Sequence, residues 1–280
     1  MNPAATTTET AAGAPSRLGA RSVSSGYGHV TVLDGLDLDI PTGVVTTIIG
    51  PNGCGKSTLL RTLARLIKPS SGQVVLDGDD IAKLKTKQIA TTMGLLPQSP
   101  LAPEGLTVAD LVARGRHPHQ SWLRQWSSDD AEVVDAVLTQ TGVRDLADRA
   151  VDSLSGGQRQ RVWISMTLAQ GTDLLLLDEP TTFLDLSHAL DVLDLVDELS
   201  SQGRTVVMVL HDLNLAIRYS DHLIAMRDGA VVAQGAPSEV ISEQMLDDVF
   251  GLKSQVIDDP VAPGRPCIVP IGTRRTGAAD

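Results

Sequence analysis

The chain has 280 residues, a formal net charge of −11 and only 2% aromatic residues. That length buries a core without difficulty, the acidic balance argues against a non-specific nucleic-acid surface, and so few aromatics leave no base-stacking platform. Two cysteines, Cys54 and Cys267, point to a reducing compartment rather than a disulfide scaffold, and no run of about 18 apolar residues is present to span a membrane.

Residues 1–16, rich in Ala and Thr with neither a basic start nor an apolar stretch, read as a disordered tail rather than a signal peptide. Leu36–Ile40 alternates at period two, which predicts a half-exposed antiparallel strand, and Pro41-Thr42-Gly43 turns the chain. Val44–Ile49 then reads as a buried, β-branched strand. It runs straight into Gly50-Pro51-Asn52-Gly53-Cys54-Gly55-Lys56-Ser57-Thr58, and beyond it Leu59, Leu60, Leu63, Leu66 and Ile67 recur at helical spacing. Strand, glycine-rich turn, helix is the setting of a phosphate loop. Its glycines let backbone N–H groups face a polyphosphate, and the helix start adds the positive end of its dipole. Lys56 reaches the β- and γ-phosphates, and the Ser57 hydroxyl can ligate magnesium. Cys54 reads as a small filler residue. The stretch implies a nucleoside triphosphate site.

Downstream, Gln73–Leu76 and Thr92–Leu96 read as strands, the second ending at Pro97-Gln98. Residues 99–152 are helical in pattern. Thr107 with Asp110 forms a capping-box signal, and a helix opening at Ser128 carries Val133, Val134, Val137 and Leu138 on one face. This insert reads as a separate lobe. Alternation then resumes with a helix over Gln158–Gln170 and a strand over Leu174–Leu177. A helix comes next with Leu186, Leu190, Leu193, Val196 and Leu199 inward, then a strand over Thr205–Leu210. Strands alternating with helices predict an α/β fold with a largely parallel sheet covered on both faces. Residues 223–280 add a strand pair (Leu223–Met226, Ala230–Gln234), a helix over Ser238–Phe250 and a Pro-rich end.

Asp178 and Glu179 come directly after the Leu174–Leu177 strand, whose carboxyl end is where ligands sit in open α/β sheets. Asp178 is placed to hold magnesium, and Glu179 to orient or deprotonate a water that attacks the γ-phosphate. Leu154-Ser155-Gly156-Gly157-Gln158 opens a further helix with glycines and a serine, again a phosphate site. This last stretch resembles the signature sequence of the ATPases of ABC transporters. The resemblance runs from about Arg17 to Gly272. It implies a P-loop cassette with a mainly parallel core sheet, an N-terminal antiparallel β subdomain and an inserted helical lobe, with short tails at 1–16 and 273–280. It also implies a head-to-tail pair of copies, in which Ser155 and Gly157 of one close over the nucleotide on Lys56 of the other. The family pattern makes Tyr27 the aromatic that stacks on adenine, and makes Gln98 a ligand for magnesium and the attacking water. It assigns Asp185 to the opposite subunit and His211 to the γ-phosphate. Relatives often carry Ser-Ala where this chain has Thr182-Phe183, and the other five histidines read as surface residues.

Within the family the phrases Ala113–Pro118, Leu154–Trp163 and His211–Asn214 resemble the importers that serve iron–siderophore, haem and cobalamin permeases. The ending Val256–Pro260 with Ile268-Val269-Pro270 resembles the ferric-siderophore members. The resemblance further implies ATP with Mg²⁺, a second copy of the chain and permease subunits that dock on residues 113–126. An indirect link to a substrate-binding protein and a place on the cytoplasmic face of the membrane are implied with them. The competing readings are a haem or cobalamin importer, and an ABC ATPase of DNA repair or translation. The second wants long coiled-coil arms, and the segment between Gln98 and Leu154 has no sustained heptads. A GTPase wants Asn/Thr-Lys-x-Asp, whereas Thr86-Lys87 is followed by Gln88-Ile89.

Overall fold

β1 (Leu18–Tyr27) and β2 (Val30–Ile40) pair as an antiparallel hairpin in the computed structural model, which describes residues 16–120, 127–182 and 184–273. β4 (Ser71–Leu76) joins the free edge of β1 and carries the short β5 (Asp79–Asp80), so this sheet runs β2-β1-β4-β5. The alternation over Leu36–Ile40 is real: the three apolar residues are buried and Asp37 and Asp39 exposed. β1 is invisible to the same test. Ser22, Ser24 and Ser25 dilute it, and register shifts between Ala20 and Gly26 break its period. Ser25 is nevertheless buried, with its hydroxyl 2.9 Å from that of Thr62.

The larger sheet runs β10-β9-β3-β8-β7-β6. β3 (Val45–Ile49), β6 (Met93–Leu96), β7 (Leu174–Asp178), β8 (Thr205–Val209) and β9 (His222–Arg227) are parallel, and β10 (Ala230–Gly235) closes one edge antiparallel. Its strands read as unbroken apolar runs because both faces are covered. Val45, Leu175, Leu177, Val206, Met208 and Leu223 pack into one apolar cluster, with the helices that come after β6. Ile48, Leu174, Leu176, Val207, Val209 and Ile224 pack into the other, with the β1–β2 sheet and α1 (Lys56–Leu63). α1 is a helix too short to stand alone in water, so it exists by burying Leu59, Leu60 and Leu63, each worth roughly 1.5–3 kcal/mol.

α1 does not reach Leu66 and Ile67. Arg65 turns left-handed (φ 57°), held there by its guanidinium on the carbonyls of Ile81 and Leu84, and Leu66 is left 64% exposed. α2 (Thr86–Thr92) leads into β6. The helical stretch between β6 and β7 contains α3 (Val108–Ala113) and α4 (Ser128–Gln140), capped by Thr107 and Ser127, then α5 (Gly156–Ala169). α6 (Leu186–Ser201) buries Leu193, Val196 and Leu199 as expected, half-buries Leu190, and exposes Leu186. After α7 (Leu213–Arg218) the helix expected over 238–250 is two, α8 (Pro237–Val240) and α9 (Glu243–Phe250). The chain straightens at Ile241-Ser242, and the Ser242 hydroxyl caps α9.

The Pro-rich end is a third sheet, β11 (Leu252–Asp258) with β12 (Pro266–Thr273). Such a hairpin is marginal by itself. It is pinned to α7: the Asn214 amide brackets the backbone of Ile268 at 2.8 and 3.1 Å, and Arg218 grips Asp259 at 2.7 Å. Among the described residues no helix is long and apolar enough to cross a membrane. The expectations for the two tails, for residues 121–126 and for Phe183 lie outside the described residues, apart from Ser16 and Thr273 at their edges.

Candidate nucleotide site

β3 ends in a turn that only glycine permits. A Cβ on Gly50 would lie 2.4 Å from the Met226 carbonyl and 2.7 Å from Cys54 Sγ. Gly53 and Gly55 hold φ of 79° and 104°. Gly50→Ala is therefore expected to cost about 2–4 kcal/mol in denaturant unfolding, since backbone and a packed thiol must both give way. An unchanged midpoint would show that the loop relaxes. Cys54 is buried, as a filler should be, and burial pushes its thiol pKa up.

The loop borders a cavity of about 460 Å³, walled by Asn52, Gly53, Gly55, Lys56, Ser57 and Thr58 and, across from them, Gln98, Glu179 and His211. Gly55 provides no side-chain cap for α1, so the helix start is left to bond an anion. Lys56 is buried, and its ammonium donates to the carbonyls of Gly50 at 2.9 Å and Pro51 at 3.0 Å. Ser57 donates to Asp178 Oδ1 at 2.8 Å.

The two acids at the end of β7 are tuned in opposite directions. Burial raises the pKa of Asp178, against the pull of Ser57 and of Arg61, whose guanidinium sits 3.5 Å away. Glu179 is also buried, which by itself raises it, but hydrogen bonds from His211, Thr182 and Gln98 outweigh burial and hold it below its ordinary value. Their distances are 2.6 Å from His211 Nε2, 2.9 Å from Thr182 Oγ1 and 2.5 Å from Gln98 Nε2. The backbone of Glu179 is left-handed (φ 55°), a strained geometry for a residue with a Cβ and one that clusters at reacting sites.

For Asp178 the sign of the linkage is clear. A raised carboxyl stabilises the fold only below its ordinary pKa and loses that contribution as pH rises, so at neutral pH its charge opposes folding. Asp178→Asn is expected to raise the melting midpoint measured without nucleotide at pH 7, by a few degrees, roughly what 1 kcal/mol does in a domain of this size. A fall would mean that the Ser57 and Arg61 contacts outweigh burial.

The structure does not bring every expected residue into the cavity. Tyr27 is half-exposed and does not line it; Arg61, which reaches Asp178, has its Nη1 3.5 Å from the phenol oxygen. Ser155 and Gly156 are exposed at the start of α5, and none of Ser155, Gly156, Gly157 and Gln158 lines the cavity around Lys56. Ser155 and Gln158 instead form a reciprocal capping box. Asp185 caps α6, accepting from the His188 N–H at 2.9 Å and bonding its ring at 2.7 Å.

Two site residues are not evident from the sequence pattern. Thr182 holds Glu179, and Arg61 bridges Asp178 to Tyr27. A signal for Arg61 exists, since it lies one helical turn beyond Ser57 and so shares its face. The remaining histidines are not all surface residues either: His119 Nε2 bonds the Gln170 carbonyl at 2.7 Å, and His188 and His222 are half-buried.

The ABC transporter family model matches residues 33–182. The chain belongs to the ABC transporter family. The cassette is accordingly an ATPase coupled to transport, and ATP is its nucleotide. It is 54% identical over 250 residues to the petrobactin import ATP-binding protein FpuD of Bacillus anthracis, covering 89% of this chain and 91% of that one. It is 51% identical over 265 residues to the ferric enterobactin transport ATP-binding protein FepC of Escherichia coli, covering 94% and 97%. Among solved structures it is similar to the dimeric bacterial ABC transporter cassette MJ0796, with a TM-score of 0.70 and 28% identity over 78% of this chain and 98% of that one.

Proposed function

We propose that this chain is the ATP-hydrolysing subunit of a membrane importer of ferric siderophores. The observation that carries the cargo is the similarity, beyond half identity and over about nine-tenths of the chain, to subunits named for two different siderophores. It supports the class of cargo rather than one compound, as fits a motor that never touches what it moves.

In this reading two copies stand head to tail, and each cavity around Lys56 is closed by Ser155, Gly156, Gly157 and Gln158 of the other copy. The exposure of the α5 start and its absence from its own cavity lining favour this arrangement, as does the dimeric cassette among the similar structures. The loop Gly50–Thr58 cradles the phosphates, Tyr27 stacks on the base, and Asp185 faces the second copy. Glu179 holds the attacking water and takes its proton, and His211 reaches the γ-phosphate. The donors Ser57, Gln98 and Asp178 are all hard oxygens with one carboxylate among them, a set that fits Mg²⁺ bound largely by phosphate and water. The ion would neutralise charge building on the transferred phosphoryl group. Closure passes through the helical lobe, about 99–152, to permease subunits that dock on residues 113–126, with a substrate-binding protein acting indirectly. The subunit sits peripherally on the cytoplasmic face of the membrane, and the unit spans 17–272 with its C-terminal strands and helices at 223–272.

Deleting the gene and measuring uptake of labelled ferric siderophore under iron starvation tests the cargo. Uptake is expected to fall and to return with the intact gene. Undiminished uptake in a strain without a redundant importer, or a loss confined to haem or cobalamin, would reject it.

A further inference from the structure

The first turns of α5 and α6 meet at one side chain. A Cβ on Gly157 would lie 2.7 Å from His188 Cδ2 and 3.0 Å from Cγ, so the imidazole rests directly against the glycine's backbone. Only glycine leaves room for a ring there. The ring is held from its other side, since His188 Nδ1 is 2.7 Å from Asp185 Oδ1, and the same oxygen accepts the His188 backbone N–H at 2.9 Å. An ionised carboxylate can only accept, so Nδ1 carries the proton and the ring orientation is set. Farther along the same two helices, Arg161 reaches Asp191 at 3.4 Å.

We propose that His188 is a positioning residue that fastens the Ser155–Gly157 loop to the Asp185 loop, so that both surfaces offered to the second copy are presented as one body. The inference rests on the head-to-tail reading above. It explains why a half-exposed histidine is tethered at a helix start that does not line the cavity around Lys56. The two loops come from different segments, and His188 touches both, Gly157 through its ring carbons and Asp185 through Nδ1. Without the ring, the two atoms nearest to where a Gly157 Cβ would lie are gone, and the first turn of α5 loses packing that limits a residue of wide backbone freedom. The cost falls on closure: ATP must then order a loop that the fold no longer orders. Binding of ATP to one copy is untouched, because neither His188 nor Gly157 lines the cavity around Lys56.

The test uses the full chain carrying Glu179→Gln, so that ATP is bound but slowly consumed, with dimer formation followed by sedimentation as ATP is titrated. Adding His188→Ala is expected to raise the ATP concentration at half-dimerisation about 5- to 50-fold, while a fluorescent ATP analogue binds dilute protein within about two-fold of its parent. His188→Asn keeps a donor for Asp185 without the ring, and His188→Phe keeps a ring on Gly157 without the donor. Each is expected to recover part of the loss, which general destabilisation would not produce, and their melting midpoints show that they are folded. Half-dimerisation at the parent's ATP concentration in His188→Ala, or no recovery in either of the other two folded variants, would overturn the proposal. A parent that fails to dimerise at saturating ATP would instead overturn the head-to-tail reading itself.

Discussion

Glu179→Gln is expected to hydrolyse ATP about 10²–10⁴-fold more slowly than the wild type while binding it as tightly. The geometry separates the two functions. Lys56, Ser57 and Glu179 all line the cavity, but Glu179 is tied to His211, Thr182 and Gln98 rather than to the phosphate loop. Glutamine keeps one acceptor oxygen for Thr182 and Gln98, and its amide can donate to a His211 Nε2 that carries no proton, so the wall of the cavity should survive, but it cannot take a proton. Those same hydrogen bonds hold the carboxyl below its ordinary value of 4.5, so it is ionised throughout the neutral range. A depressed carboxyl contributes stability above that value and loses it as pH falls through the folded pKa, so this contribution is intact at neutral pH. Hydrolysis should therefore show no titration of Glu179 in the neutral range. Single-turnover hydrolysis and equilibrium ATP binding, measured on the same preparation, check both halves. Loss of binding in step with hydrolysis would move Glu179 from chemistry to architecture.

What the sequence disclosed, it disclosed where one physical demand dominates. The β3 strand, the phosphate loop and the acids after β7 were legible because a buried parallel strand needs an unbroken apolar run and a phosphate cradle needs glycine. The elements that escaped depend on partners far along the chain. β1 hides three serines among its apolar residues, and one of them is buried only because Thr62 meets it. β12 carries prolines and exposed Val269 and Ile271, and it holds with β11 as a hairpin because Asn214 and Arg218 on α7 bind β12 and the connection, and Arg265 in that connection binds back to the Ile217 carbonyl. Leu66 and Leu186 continue helical spacing past the point where anything covers it, since periodicity reports a face and not its neighbour. The Gly157–His188 contact was illegible for the same reason. A glycine in a signature reads as phosphate chemistry, and nothing in its local pattern announces a ring from another helix.

Two variants, each inactive alone, are expected to restore hydrolysis when mixed. Lys56→Ala removes the ammonium from a copy's own cavity but leaves its Ser155–Gly157 loop intact, and Ser155→Arg does the reverse. Within a homodimer of either, both composite sites are spoiled. A mixed pair concentrates both defects in one site and leaves the other built from two sound halves. Random pairing at equal concentrations makes half the dimers mixed, each with one working site of two, so about a quarter of wild-type activity should return if the sites act independently. Complementation of this kind requires an α5 start that does not serve its own chain's cavity, and Ser155 and Gly156 are exposed and outside that cavity's lining. The head-to-tail reading also makes turnover depend on protein concentration, falling on dilution faster than in proportion, because in it a lone copy would hold ATP without the groups that close over it. Hydrolysis by dilute Ser155→Arg at the wild-type rate would show that one chain owns a complete pocket and would remove the reason for a pair.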